Sequence, residues 1–302
     1  MFLSCKKKSI PHAIKNYPLS IIPLSINPNM LAFPNSKINL GLQILNKRED
    51  GFHNIETVFY PVGLKDALEI IPSSNSEKDV EFTLGGLPIE GMSNDNMCPK
   101  AYQLLKNDFP ELPSIKMHLQ KAIPMGAGMG GGSADGAFTL ILLNEKFKLN
   151  LTTHQLVTYA LQLGSDCPFF IINKPCYATG RGEILEEIKI DLSAYKIVVV
   201  NPNIQIHTRG AFNQLTLVPH KKTVKKIIRQ PISTWKDDLQ NDFETSILTR
   251  YPKLKPIKKA LYSEGAIYAS MTGTGSTFFG IFEKPIPLKR FTDKNYFVKI
   301  LP

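Results

Sequence analysis

Thirteen consecutive residues carry the densest chemistry in this chain: Pro124-Met125-Gly126-Ala127-Gly128-Met129-Gly130-Gly131-Gly132-Ser133-Ala134-Asp135-Gly136. Five of the seven positions from 126 to 132 are glycine, and each glycine raises the conformational entropy lost on folding. Such density has a use where backbone must approach a ligand closely and aim several N–H groups at it. The apolar stretch Ala134–Leu143 follows directly and reads as a buried helix, so the loop opens onto a positive helix end. Loop and helix together form a cradle for a polyphosphate. Ser133 adds a hydroxyl suited to a phosphate oxygen or to Mg²⁺, and it equally suits a helix cap; both readings stand.

Three familiar nucleotide loops fit poorly. A Walker A loop needs a lysine directly before its Ser or Thr, whereas Gly132 precedes Ser133. Gly126, Gly128 and Gly131 match a dinucleotide fingerprint formally, yet the acid expected about 20 residues on would close a second strand, and Glu145 instead follows a helix. Neither of the protein-kinase signatures HRD and DFG occurs.

The elements that must position this loop are legible from periodicity. Lys37–Leu45 alternates apolar and polar residues as a half-buried strand does, and Asn46–Gly51 is a polar turn. Glu56–Tyr60, Ala67–Ile71 and Ile115–Ala122 read as further strands, the last running into the glycine loop. Asn96–Lys106 and Thr153–Leu163 have helical spacing, the second capped by Thr152 or Thr153. Beyond them come a strand at Lys196–Val200, helices near 221–229 and 252–263, and the strands Ala266–Met271 and Ser276–Phe282 around a second glycine loop. Strands and helices mix without βαβ repetition, which predicts an α+β chain of two domains, 30–185 and 186–302. Residues 1–29 hold prolines at 11, 18, 23 and 28 that interrupt every apolar run. They read as a disordered or misassigned extension, dispensable for stability, with a cleaved targeting segment as the alternative.

Composition narrows the classes. The chain has 302 residues, 43% of them hydrophobic, and no apolar run near the roughly 20 residues a membrane crossing needs, so a soluble protein without a membrane partner is expected. Cys5, Cys98, Cys167 and Cys176 form no CxxC pair, which argues against a zinc site and fits a reducing cytoplasm. The net charge of +10 lies partly in residues 1–29 and in lysine clusters at 221–229 and 253–259. With no aromatic RNA-binding motif or helix-turn-helix beside them, a solvated face or an anionic small substrate explains them without nucleic acid.

Three motifs in order then give the chain a family likeness. Pro124–Ala134 resembles the central P-x-x-x-G-L-G-S-S-A motif of the GHMP kinases in a triple-glycine form. Asn35-Ser36-Lys37-Ile38-Asn39-Leu40 is similar to their first motif and Met271-Thr272-Gly273-Thr274-Gly275-Ser276 to their third. Arg48-Glu49-Asp50-Gly51-Phe52-His53, Leu163–Pro168 and Asn241-Asp242-Phe243-Glu244 resemble segments of one subfamily, the diphosphocytidyl-methylerythritol kinases. The likeness implies the GHMP fold, with a ribosomal S5 domain 2-like N-terminal domain and a ferredoxin-like C-terminal domain. It implies transfer of the γ-phosphoryl group of ATP, with Mg²⁺, to the 2-hydroxyl of a diphosphocytidyl-methylerythritol, by a monomer or weak homodimer.

The same resemblance distributes roles. Asp166 takes the position of the base and Lys37 that of the cation beside it. Taken alone, Asp166 would read as a helix cap ahead of Pro168 and Lys37 as a surface lysine. Asn96, Met97 and Lys121 match positions around adenine, with Lys121 also within reach of phosphate, and residues 124–133 hold the nucleotide. Phe52 and His53 would hold the cytosine, with Phe212 as a second wall and Thr208 near the base residue. Asn39 would lie near the substrate diphosphate, and Gly273, Thr274 and Gly275 near the substrate. Ser133 is the expected contact to Mg²⁺. Asp135 either approaches the metal or favours the helix start. The competing classes are another GHMP kinase such as a homoserine kinase, a nicotinamide oxidoreductase, and a non-catalytic nucleotide-binding module.

Overall fold

The computed structural model describes residues 31–74, 77–88, 95–213, 215, 217–287, 289–292 and 294–301. The expected extension at 1–29, with Cys5, lies outside the described residues. In chain order, β1 (Leu31–Ala32) leads into a long hairpin of β2 (Asn35–Lys47) and β3 (His53–Lys65), followed by β4 (Ala67–Pro72) and β5 (Val80–Gly86). Helix α1 (Met97–Asp108) and strand β6 (Ile115–Lys121) precede α2 (Gly131–Lys146), α3 (Thr153–Leu163) and α4 (Cys167–Ile172). Strands β7 (Cys176–Thr179) and β8 (Ile184–Glu187) come next. The second half runs β9 (Lys196–Asn201), α5 (Thr208–Phe212), α6 (Val224–Ile227), α7 (Ile232–Asp238) and α8 (Phe243–Arg250). A 3₁₀ turn (Pro252–Leu254), α9 (Lys255–Ser263), β10 (Tyr268–Met271), β11 (Phe278–Phe282), α10 (Lys289–Thr292) and β12 (Phe297–Leu301) complete it.

Three four-stranded sheets result, in the orders β1-β4-β6-β5, β2-β3-β7-β8 and β10-β11-β9-β12. The β5–β6 pair is parallel and the other pairs are antiparallel. The architecture is the expected α+β one. The division placed between 185 and 186 falls inside β8, which pairs with β7 through Glu187.

Strand β2 departs from its half-buried expectation, because every residue from Asn35 to Ile44 is buried. Its period-two alternation is real, but both faces are covered. Ile38 and Leu40 join a core with Trp235, Tyr268 and Leu301 of the second half, while Leu42 and Ile44 join another with Phe243 and Phe282. The change of core occurs at Gly41, where the pairing with β3 slips and φ is +69°. A side chain there would meet Leu239 at 2.5 Å, so the bulge both needs glycine and admits Leu239. The Leu42 N–H donates to the Gln240 carbonyl and the Asp242 N–H to the Leu42 carbonyl, both at 2.9 Å, which ties the second half along this strand.

Helix α2 is buried without interruption from Ala134 to Leu143, as expected for a helix sandwiched between layers. Helix α3 starts on a capping box: the Thr152 hydroxyl accepts from the Gln155 N–H at 3.3 Å, and the Gln155 side chain accepts from the Thr152 N–H at 2.8 Å. Helix α9 buries Ile257, Ala260 and Leu261, and its Lys258 pairs with Glu244 at 2.6 Å. Among the described residues no helix is long and apolar enough to cross a membrane.

Candidate active site

The two glycine loops touch. Gly128 has φ +74°, and a Cβ there would sit 2.1 Å from the Thr272 carbonyl oxygen. The Thr272 hydroxyl donates to the Gly128 carbonyl at 3.0 Å, and the Lys37 N–H donates to the Met129 carbonyl at 2.9 Å. The first loop is thereby pinned from β2 and from the turn after β10. At Gly132 an added Cβ would meet nothing within 4 Å, so this end of the loop faces open space at the start of α2. The first turn of that helix offers N–H groups without intrahelical partners. Gly130, not Ser133, is the N-cap, and no side chain caps the helix. Ser133 lies in the first turn, on the side of the buried Cys167. Burial pushes the Cys167 thiol up to about 12, with Ser133 opposing the rise.

Lys37 is buried, not a surface lysine: its side chain is 4% exposed. Its ammonium donates to Asn39 Oδ1 at 2.7 Å, lies 3.4 Å from Asp166 Oδ2 and sits 4.8 Å above the Phe59 ring. Asp166 precedes α4 with αR geometry and makes no side-chain cap bond, so its carboxylate, one-third exposed, is free to face a ligand. Asn39, expected near the substrate diphosphate, is buried beside Lys37. Its Oδ1 accepts from Lys37 and from the Gly273 N–H at 3.0 Å, its backbone N–H donates to the Thr272 hydroxyl at 3.1 Å, and its amide donates to Thr57 Oγ1 at 3.0 Å. A buried carboxamide engaged in this way orients Lys37 and the second glycine loop.

Lys121 also differs from its expected role at the nucleotide. Its ammonium is 2% exposed and lies between two buried carboxylates, Asp66 in a short hydrogen bond and Asp135 at 2.7 Å. Asp66 Oδ1 further accepts the N–H groups of Ala122 and Ile123, the latter at 2.8 Å. This triad therefore props the entry to the glycine loop from beneath. It holds two acids for one cation, and burial pushes Asp135 up to about 7 while Lys121 opposes the rise. Asp135 Oδ2 is held by Lys121, while its Oδ1 is buried without a hydrogen-bond partner. Asn96 caps α1, its Oδ1 accepting from the Cys98 N–H at 2.9 Å. Met97 packs between α2 and the segment before α4, close to Gly136 and Gly164.

The opposite end of the cleft is the turn between β2 and β3. Arg48 Nε holds both Asp50 oxygens, at 3.1 and 3.0 Å, and Asp50 Oδ1 accepts the Phe52 N–H at 3.1 Å. Gly51, at φ +83°, closes the turn. The turn so braced presents Phe52, a residue 52% exposed. Phe212 does not stand off as a second wall: its ring stacks on His53 with centroids 4.9 Å apart and packs edge-on to Phe243. That spacing is a direct aromatic contact, leaving no room for a base between the two rings. Burial, then the charge of Lys47, holds the His53 imidazole below its ordinary value, so the ring is neutral near pH 7. The Thr208 hydroxyl lies 3.4 Å from that of Thr274, and Gly273 packs against Gly128.

Thus Lys37, Asp166, the glycine loop and residues 272–275 converge, whereas Lys121 stands behind the loop. Reading the sequence missed Asp66, Thr57 and Arg181. Only Arg181 carried a local signal, being flanked by Gly180 and Gly182. Among the described residues no cluster of three or more His, Cys, Asp or Glu could hold a metal alone. Mg²⁺ carried on phosphates needs only one or two protein ligands, and the Ser133 hydroxyl beside the open end of the loop fits that donor set.

Comparison with known proteins places these features. The family model described as GHMP kinases N terminal domain matches residues 96–174, and that of the GHMP kinases C terminal matches 223–296. A protein of Bacteroides fragilis named 4-diphosphocytidyl-2-C-methyl-D-erythritol kinase is 51% identical over 269 residues, covering 88% of this chain and 96% of that one. One of the same name from Bacteroides thetaiotaomicron is 48% identical over 84% of this chain and 92% of its own. A crystal structure of 4-(cytidine 5'-diphospho)-2C-methyl-D-erythritol kinase superposes with TM-score 0.73 at 27% identity, covering 90% of this chain and 99% of the other. A homoserine kinase from Cytophaga hutchinsonii shares the fold alone, at TM-score 0.66 and 15% identity over 92% of this chain and 96% of that one.

Proposed function

The chain belongs to the GHMP kinases, within them to the 4-diphosphocytidyl-2-C-methyl-D-erythritol kinases of isoprenoid biosynthesis, and from that premise we propose how its residues divide the work. It is an ATP-dependent phosphotransferase whose acceptor is the 2-hydroxyl of the methylerythritol unit. The observation that carries the residue assignment is the Asn39–Lys37–Asp166 line at the mouth of the glycine loop.

Asp166 takes the proton of the acceptor hydroxyl as its oxygen forms the new bond to phosphorus. The bond from the γ-phosphorus to the bridging oxygen breaks, and ADP leaves with that electron pair. Lys37, fixed by Asn39, faces the transferring group and offsets the charge spreading over it. Backbone N–H groups of residues 126–133 and the start of α2 hold the nucleotide phosphates. Mg²⁺, when bound, neutralises phosphate charge, with Ser133 as its protein contact. Phe52 offers its face to the cytosine, and neutral His53 addresses the base edge while Phe212 backs it. The residues near adenine are Asn96 and Met97. Buried free thiols at Cys98, Cys167 and Cys176 suit a reducing cytoplasm.

Incubation with ATP, Mg²⁺ and the diphosphocytidyl substrate is expected to release ADP, and chelation of the metal to stop it. ADP release of the same rate with homoserine or mevalonate as acceptor would sink the substrate assignment.

A further inference from the structure

The loop joining β7 to β8, Gly180-Arg181-Gly182-Glu183, has no part in the roles above, yet it spans the gap between them. Gly180 and Gly182 adopt φ of +68° and +108°, conformations that set Arg181 out from the strand ends, and the Gly180 carbonyl is fixed by the Ile55 N–H at 2.7 Å. At one end the Arg181 guanidinium carbon lies 4.7 Å from the centroid of Phe52. At the other, a Cβ on Gly182 would stand 3.7 Å from Asp166 Oδ1. One four-residue loop therefore bridges the aromatic platform and the carboxylate that receives the proton.

A substrate with its base on Phe52 and its acceptor hydroxyl at Asp166 must carry its diphosphate past this loop. The surroundings are acidic: Asp50, Glu183 and Asp166 flank the path. Arg48 is already spent, since Asp50 takes its Nε and Nη2 and Asn54 Oδ1 takes Nη1 at 3.0 Å. Arg181 is different. Its ion pair with Glu183 is loose, Nε to Oε1 at 3.5 Å, and its side chain is about a third exposed. A guanidinium is the planar, permanently charged donor that grips phosphate oxygens in pairs.

We infer that Arg181 binds the diphosphate of the substrate, spanning both phosphates while its plane backs the Phe52 ring. The inference rests on the cytidyl reading of Phe52 given above. Calorimetric titration with CDP, CMP and a nonhydrolysable ATP analogue tests it on the full chain. Arg181→Met keeps the stem against Phe52 and removes the charge, and should weaken CDP binding about 10- to 100-fold. CMP, which lacks the second phosphate, should lose far less, so the native preference for CDP over CMP disappears, while the ATP analogue stays within about twofold. Arg181→Lys, retaining charge without the fork, should fall between. Equal losses for CDP and CMP, or no loss for either at an unchanged melting temperature, overturn the assignment. Failure of the unaltered chain to bind CDP overturns the cytidyl reading itself and this inference with it.

Discussion

Around Lys37 the cleft is saturated: Asn39 alone engages Lys37, Thr57, Thr272 and Gly273, and all of these but Gly273 are almost entirely out of water. Around Phe52 it is open: an exposed ring is carried on a turn braced by one surface arginine and its aspartate. The contrast follows from what each end must do. Phosphoryl transfer needs a cation and a base held in one geometry before the reaction, since charge that need not reorganise costs least in the transition state. Recognition of a base needs a flat face left free until the ligand covers it. One end is therefore built into the core and the other onto the surface.

Replacing Asp166 by Asn strikes the saturated end hardest. The shape and the nucleotide site should persist, and turnover should fall by roughly 10²-fold or more, as for loss of a positioned base. Near-normal turnover in a folded variant would reassign the base.

The open end should respond in binding and not in stability. Phe52→Ala is expected to weaken CDP binding by about 5- to 150-fold, the range for one lost stacking face, and to leave the ATP analogue within about twofold. Phe52→Tyr, which keeps the face, should be nearly neutral. Because the ring is half exposed, melting temperature should barely move for either variant. A matching loss for both nucleotides would mean that the ring packs the domain, and the contrast between the two ends would collapse.

The smallest expected effect sharpens the saturated end. Asp135 is pushed up to about 7, far above the ordinary range of an unfolded aspartate, so the folded state holds its proton more tightly. The stability this confers is present at low pH and is lost as pH rises between about 4 and 7, above which the buried charge is carried in full. Asp135→Asn, neutral at every pH, should therefore gain stability relative to the unaltered chain on going from pH 5 to pH 8. Thermal melts at both values decide this; a constant difference would show that Asp135 stays ionised beside Lys121 throughout.

Much of the frame was legible because it is periodic or compositionally loud. The alternation of β2, the run of β6 into the glycines and the apolar helix after them need only local rules. The short β7, β8 and β12, and helices α7 and α8, lack enough residues for a period to show. Lys121 illustrates the limit at the site. Its place ahead of a phosphate loop suggests a ligand contact, and only the fold brings up Asp66, 55 residues away, to claim it from behind. Phe212 teaches the same lesson, since nothing near it in sequence announces that His53 already occupies its face. Type and order reveal which groups a site owns; long-range pairing decides which of them still face the ligand.

The contact between Gly128 and Thr272 bears on how this chain could be recombined with its relatives. A Cβ at 128 would collide with backbone of the other half, and Asn39 bonds to both Thr272 and Gly273. The two halves thus meet through main chain as well as through exchangeable side chains, and at this seam neither can drift in sequence alone. A chimera that joins the first half of one relative to the second half of another inherits a working centre only if positions 39, 128, 272 and 273 travel as one set, however well each half folds.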